Sequence, residues 1–284
     1  MIHACGPKRK RPPKEEICMT ITAVALDLDG TLLPRGTHRL SARTVAALQA
    51  VQSSGIRVIV ATGRAVCAVP PALLGGFVPD AAVYSGGALV LDGEGRTLAA
   101  RCLDDQPMYA LVDWCEDYDY PIAFAYPEAY YAYVGYDRMT GFYPAGMLRD
   151  GEDQDRHLEG KPFAAQCCMP PEGAAGFTER YGHLGLRLVP FAPGRYDVCP
   201  PDTDKAAGVR AALAALGLSP EGLAAAGDAE NDRPLLALAA LPVTVESAPE
   251  SLRAAARLTV PDPEQEGVAA FLEQLAACRG GWNL

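Results

Sequence analysis

Several things are scarce in this sequence. Only four of its 284 residues are histidine, at positions 3, 38, 157 and 183, too scattered for a histidine metal site. The nine cysteines are odd in number and include no Cys-x-x-Cys pair, and the adjacent Cys167-Cys168 has neither disulfide nor zinc spacing. Reduced thiols are expected, and with them a cytoplasmic location. No stretch reaches the roughly 18 apolar residues that span a bilayer, and no apolar run of signal-peptide length follows the N-terminus, so no membrane partner is expected. Positive charge is short as well: 25 Lys and Arg stand against 35 Asp and Glu, a net charge of −10. Nucleic-acid binding draws its affinity from phosphate neutralisation, for which an acidic chain is a poor candidate. The basic run Lys8-Arg9-Lys10-Arg11, followed by Pro12-Pro13, reads as a solvated tail, and residues 1–20 are expected to be disordered.

What remains is ordinary globular material, 49% apolar and 21% charged. At ~150 residues per domain the length fits two domains. From Ile21 the chain alternates short apolar runs with helical patterns. Ile21 to Leu28 is a strand. A helix follows, with Ser41 as N-cap and Val45, Leu48 and Val51 on one face. Ile56 to Ala61 is a second strand, then a helix broken at Pro70-Pro71, then a strand at Ala81 to Tyr84. Near-continuous apolar strands separated by helices predict a parallel sheet covered on both faces. The rhythm then changes. Ala88–Leu91 and Thr97–Leu103 flank Asp92-Gly93-Glu94-Gly95, a hairpin signal, and open a stretch of mostly antiparallel α+β character, with residues 137–162 reading as loop. From Asp204 the alternation returns. The prediction is an α/β fold with a Rossmann-like three-layer core at residues 21–87 and 199–284, interrupted by an inserted α+β cap domain at 88–198.

Four short motifs carry chemistry. Asp27-Leu28-Asp29-Gly30-Thr31 directly follows the first strand, and in an open parallel sheet ligands gather at the carboxyl ends of strands. Two carboxylates two residues apart can divide labour, one ligating a hard cation and attacking an electrophile, the other moving protons. A calcium loop fails, because its fifth and sixth positions would be Thr31 and Leu32. Ala61-Thr62-Gly63-Arg64 ends the second strand and offers a hydroxyl and backbone N–H groups to an anion. Lys205 stands one residue inside a helix capped by Asp204. A cation there opposes the macrodipole, which is understandable if it serves an anion. Gly227-Asp228-Ala229-Glu230-Asn231-Asp232 ends another apolar strand and begins a helix. Each motif alone has a plain structural explanation, as a turn, a surface lysine or an N-cap.

Together and in this order they resemble the haloacid dehalogenase superfamily, over residues 21–278, and the Ala-Thr-Gly-Arg form with a large insert is similar to its Cof-like phosphatase branch. The resemblance implies a Mg²⁺-dependent phosphatase acting through an aspartyl-phosphate on a small phosphate ester such as a sugar phosphate or phosphorylated cofactor, as a monomer or small homo-oligomer. It makes Asp27 the nucleophile and Asp29 the general acid/base. Thr62, Gly63, Lys205 and Gly30 would bind the phosphoryl group. Asp27, the backbone carbonyl of Asp29, and Asp228 would ligate Mg²⁺, with Asn231 and Asp232 in support. A mutase-type phosphotransferase and a non-catalytic phospholigand-binding regulator remain as alternatives. The sequence departs from the family at Gly86, where relatives often carry Asn, at Glu246, again near an expected Asn, and at Asp204, where Ser is usual. Nine of the 12 tyrosines lie between Tyr109 and Tyr143. They can line a substrate pocket or pack a small core. Tyr130, Tyr131, Tyr133 and Tyr136 are too close in sequence all to face inward.

Overall fold

The computed structural model describes residues 18–152, 154 and 156–283. Its first strand, β1 (Cys18–Thr20), leads into β2 (Ala23–Leu26), and helix Ala42–Ser53 carries the chain to β3 (Arg57–Ala61). The hydroxyl of Ser41 caps that helix by accepting from the Thr44 amide, 3.0 Å away. Then come β4 (Ala81–Tyr84) and the hairpin β5 (Leu89–Asp92) and β6 (Thr97–Ala100). Helix Asp105–Asp117 leads to β7 (Ile122–Ala125), β8 (Tyr130–Val134), β9 (Leu148–Asp150) and β10 (Ala164–Cys168). Helix Pro171–Tyr181 precedes β11 (Arg187–Ala192) and β12 (Arg195–Cys199). Helix Lys205–Ala215, β13 (Leu223–Gly227), helix Arg233–Leu238, β14 (Leu241–Val245), β15 (Leu258–Val260), helix Gly267–Ala277 and β16 (Gly281–Asn283) complete the order.

Two sheets follow. The larger has eight strands in the order β15-β14-β13-β2-β3-β4-β5-β6, parallel from β15 to β4. Every residue of β2 and β13 is buried, which requires cover on both faces. Helices Ala42–Ser53 and Gly267–Ala277 pack on each other, and helix Lys205–Ala215 lies against β3 to β6. The smaller sheet has six strands in the order β11-β12-β10-β7-β8-β9, antiparallel except where β9 joins β8.

The smaller sheet sorts its side chains by the two-residue period of its strands. One face sends Phe124, Cys167 and Val198 into a core with Leu111, Trp114 and Phe177 of the covering helices. The other presents Ala123, Ala125, Tyr130, Ala132 and Ala164, which pack with Ala65 from the loop after β3. Small residues let the inserted sheet lie close over the carboxyl end of the larger one. That contact makes the inserted sheet a roof over the strand ends where the motifs sit.

Several boundaries move relative to the sequence reading. The hairpin β5–β6, placed at the start of the insert, instead extends the larger sheet, β5 lying antiparallel to β4. The first crossing therefore falls after Ala100 rather than near residue 88. The helix expected after Thr62-Gly63 is a single turn, Val66–Ala68, because Pro70-Pro71 arrives too soon for more. The stretch 137–162 holds β9 and helical turns at Tyr136–Met139 and Arg156–Glu159. The expected disorder at 1–17 lies outside the described residues, while Cys18–Thr20 pairs antiparallel with Gly281–Asn283. Among the described residues no helix is long and apolar enough to cross a membrane.

Candidate active site

At the carboxyl end of β2 the chain turns sharply through Asp27 to Leu33. Gly30 takes φ +88°, and a Cβ on it would collide with the Asp228 carboxylate, so both conformation and space demand glycine. The turn holds Asp27 buried at 4% exposure. Lys205, at the start of its helix, reaches the same point: its Nζ lies 2.6 Å from Asp27 Oδ1 and 2.7 Å from Asp232 Oδ1. Burial pushes the Asp27 carboxyl well up, against the pull of Lys205. Burial works to lower the Lys205 ammonium, but Asp232 and Asp27 together hold it above its ordinary value.

Asp232 is fully committed. Its Oδ1 takes the lysine, and its Oδ2 accepts from the backbone N–H groups of Asp228 and Ala229 at 3.1 and 3.0 Å. It thereby shapes the loop that presents Asp228. The Asp228 carboxylate accepts from Thr31 Oγ1 at 3.0 Å and from Arg35 Nη2 at 2.6 Å. One oxygen from each of Asp27, Asp228 and Asp232 lies within 4.8 Å of the others, all three residues buried. Three carboxylates against buried Lys205 and exposed Arg35 still leave an excess of negative charge, and the donors are all hard oxygens. This set fits a small divalent cation such as Mg²⁺ and does not fit a soft metal.

Asp29 faces the other way. Its carboxylate forms a two-pronged pair with the Arg64 guanidinium, at 2.7 and 2.6 Å, and remains about a third exposed. Thr62 is buried at the end of β3, with its Oγ1 accepting from the Arg64 amide at 3.1 Å. Asn231 lines the same space, and its Oδ1 is buried without a hydrogen-bond partner.

Between these residues and the inserted sheet lies a cavity of about 710 Å³. Asp27, Asp29, Thr62, Gly63, Lys205 and Asn231 line its floor, so sequence-selected residues of all four motifs come together there. Asp228 and Asp232 adjoin them from the fourth. The roof contributes residues that no motif singled out: Gln166, Arg187, Arg195 and Asp197, with Tyr130, Tyr143 and Phe142. Of the clustered tyrosines only Tyr130 and Tyr143 reach the cavity, while Tyr126 and Tyr131 belong to the helix-covered core of the insert. Glu246 is exposed and does not line the cavity. Gly86 takes φ +63° and donates its N–H to the Thr62 carbonyl at 3.0 Å, a backbone contact with the second motif.

A parallel sheet with buried acids and a lysine at its carboxyl edge, roofed by an inserted sheet, is the layout of a capped α/β hydrolase. Residues 24–272 match the haloacid dehalogenase-like hydrolases, and the chain belongs to that family, in its Cof-like branch; it is an enzyme of the phosphatase kind. It is 25% identical to phosphatase YwpJ of Bacillus subtilis over 282 residues, covering 89% of this chain and 99% of that protein. It is 24% identical to a phosphoglycolate phosphatase of Methanothermobacter thermautotrophicus, covering 87% and 95% of the two chains. The solved structure of BT1666 from Bacteroides thetaiotaomicron, a phosphatase of the same superfamily, superposes with a TM-score of 0.78 at 21% identity over 94% of this chain and 98% of that one.

Proposed function

We propose that the chain is a Mg²⁺-dependent phosphatase that hydrolyses a small phosphorylated metabolite through an aspartyl-phosphate on Asp27. The observation that carries this reading is the Lys205 bridge between buried Asp27 and Asp232 at 2.6 and 2.7 Å. A carboxylate cannot approach a phosphate dianion unless positive charge is held beside both.

Asp27 attacks phosphorus in line with the departing oxygen. Lys205 balances the charge of the nucleophile and of the phosphoryl oxygens. The Thr62 hydroxyl and the Gly63 amide position those oxygens, whereas the Gly30 amide, expected to join them, donates to the Leu33 carbonyl at 2.8 Å and holds the turn that presents Asp27. Protonated Asp29 gives its proton to the leaving alkoxide, and the carboxylate so formed, which pairs with Arg64, takes a proton from the water that cleaves the Asp27 acyl-phosphate, so inorganic phosphate is released, Asp27 is freed and Asp29 is protonated again. Mg²⁺, held by Asp27, the Asp29 carbonyl and Asp228, would supply further neutralisation of the phosphoryl oxygens. Asp232 and Asn231 support the loop that carries Asp228. Arg64 orients Asp29. Partial exposure of Asp29 gives water access to the proton-transfer group, which argues for hydrolysis rather than mutase-type transfer.

A sugar phosphate or phosphorylated cofactor suits the polar roof, and the relatives support a small ester: one is a phosphoglycolate phosphatase, and the neighbouring fold BT4131 is a sugar phosphatase. The free thiols, the seven cysteines from Cys67 to Cys278, support a cytoplasmic setting. The test is phosphate release from a broad panel of phosphorylated metabolites, with and without Mg²⁺. Asp27→Asn should abolish turnover of every ester that the wild type accepts. Retained hydrolysis of p-nitrophenyl phosphate by Asp27→Asn would refute the mechanism.

A further inference from the structure

We propose that Asp197, held in place by Gln166 and Tyr143, is the residue through which the inserted sheet reads a hydroxyl on the leaving group of the substrate. The inference rests on the phosphatase reading above and assigns the leaving-group side of the same cavity.

The geometry begins with sheet register. Gln166 of β10 and Asp197 of β12 are direct cross-strand partners, so their side chains leave the same face, toward the larger sheet. The Tyr143 hydroxyl donates to Gln166 Oε1 at 2.6 Å. The Asp197 carboxylate, which only accepts, fixes the amide, because the reverse orientation would set a carbonyl oxygen against it. Gln166 Nε2 accordingly donates to Asp197 Oδ1 at 2.9 Å. The Tyr143 hydroxyl, Gln166 Oε1 and Asp197 Oδ1 each have a partner in this chain, and Asp197 Oδ2 has no donor among the described residues.

Oδ2 is aimed at the phosphoryl site. It lies 3.1 Å from the point where a side chain on Gly63 would begin. Glycine there keeps open the space between the acceptor and the loop that carries Thr62. Lys205 lines the same cavity and is near enough to draw the Asp197 carboxyl down, though burial wins and pushes it up to about 6. Arg195, two residues back on the same face of β12, makes no ion pair with Asp197. Its guanidinium lies over the rings of Phe142 and Phe191, at 4.1 and 4.8 Å. A carboxylate in this position costs stability and secures no fold contact beyond one amide.

An acceptor with a free oxygen beside a phosphoryl pocket repels the phosphate itself. It is satisfied only by a donor on the group that the phosphate is attached to. Arg35, Arg64, Arg187, Arg195 and Lys205 line the cavity against Asp27, Asp29, Asp197 and Glu230, so the lining has no excess of acids to draw an ammonium, and the donor assigned to Oδ2 is a neutral hydroxyl. A site built to hydrogen-bond a hydroxyl rejects the analogue without one, because its own polar group is left unpaired.

The experiment compares kcat/KM for glycerol phosphate and n-propyl phosphate, the same carbon chain with and without hydroxyls. The wild-type ratio should be about tenfold or more, as a charge-assisted hydrogen bond gives. Asp197→Asn should cut that ratio several-fold and Asp197→Ala should bring it close to one. Tyr143→Phe, which leaves Gln166 Oε1 without its donor and loosens the amide that holds Asp197, should shift it in the same direction by a smaller factor. A wild-type ratio near one, or a ratio that both Asp197 variants leave within twofold of wild type, overturns the inference. Hydrolysis of p-nitrophenyl phosphate by the wild type separates that failure from failure of the phosphatase reading: no release from any ester overturns both.

Discussion

The Arg64 guanidinium grips the Asp29 carboxylate with two parallel hydrogen bonds, Nε to Oδ2 at 2.7 Å and Nη2 to Oδ1 at 2.6 Å. The pair joins the ends of two neighbouring parallel strands, β2 and β3, and Arg64 is itself tied to the Ala68 carbonyl at 3.2 Å. A planar fork of this kind fixes direction as well as charge, which a lysine cannot do. Arg64→Lys should therefore keep the fold and lower kcat about ten- to a hundredfold, the usual consequence of a misplaced proton-transfer group. Steady-state kinetics on p-nitrophenyl phosphate would show it as a loss in kcat with KM little changed. A wild-type kcat in Arg64→Lys would separate Arg64 from the chemistry.

Lys205 is the only cation that touches both Asp27 and Asp232 among the described residues, and all three side chains are buried, at 3%, 6% and 0% exposure. Removing one member of a buried ion network strands the others. Lys205→Met should cost about 3–5 kcal/mol of folding stability in the absence of metal, read as a lower denaturant midpoint, together with loss of turnover. A midpoint equal to that of the wild type would mean that the lysine is not compensating the two acids.

The carboxylates of Asp27 and Asp228, brought together with Asp232 inside 4.8 Å, should make Mg²⁺ a stabilising ligand independent of any substrate. Binding to the folded state alone adds about 2.7 kcal/mol at a hundredfold excess over Kd. Thermal melts with rising Mg²⁺ should show Tm increasing in the wild type and staying flat in Asp228→Asn, while EDTA removes both the shift and the activity. A Tm indifferent to Mg²⁺ in the wild type would count against a metal at these acids.

How far the sequence reaches is seen by comparing these residues. Asp27, Asp29, Thr62, Lys205 and Asp228 were legible because each follows an apolar strand or opens a helix, and a parallel sheet delivers all such points to one edge. The strands themselves were legible from length and side-chain type: a run such as Val-Ile-Val-Ala at 58–61, short, β-branched and bounded by turn residues, reads as a buried strand. The pairing of Arg64 with Asp29 was not, since it spans 35 residues and depends on the neighbouring register of β2 and β3. The roof was less legible still. Tyr143, Gln166, Arg195 and Asp197 come from separate segments, and only the antiparallel register of β10 and β12 puts Gln166 beside Asp197. The hairpin at 89–100 was recognised as a hairpin but joined to the wrong sheet, because local alternation does not say which edge a hairpin extends.

Asp197 also gives the clearest consequence for pH. Burial raises its carboxyl from an ordinary 3.8 to about 6 in the folded chain, against the opposing pull of Gln166, Lys205 and Arg195, the polar and charged groups that face it. Between those two values the folded state binds more protons than the unfolded state, so this residue's contribution to stability falls as pH rises through the window. Below about pH 4 the side chain is neutral in both states and has no such cost. Above pH 6 the full cost is present, at most about 3 kcal/mol for a displacement of this size and nearer 1–2 where the cavity admits water. Asp197→Asn keeps an oxygen to accept from Gln166 Nε2 and removes the charge. It should therefore melt higher than the wild type at pH 7.5, and the gap should close as pH is lowered toward 4. Melting curves of both proteins across that range test the sign directly: a variant that is less stable at pH 7.5, or a gap that widens in acid, would mean that the carboxylate is held by a favourable partner instead of being carried at a cost for the sake of the site.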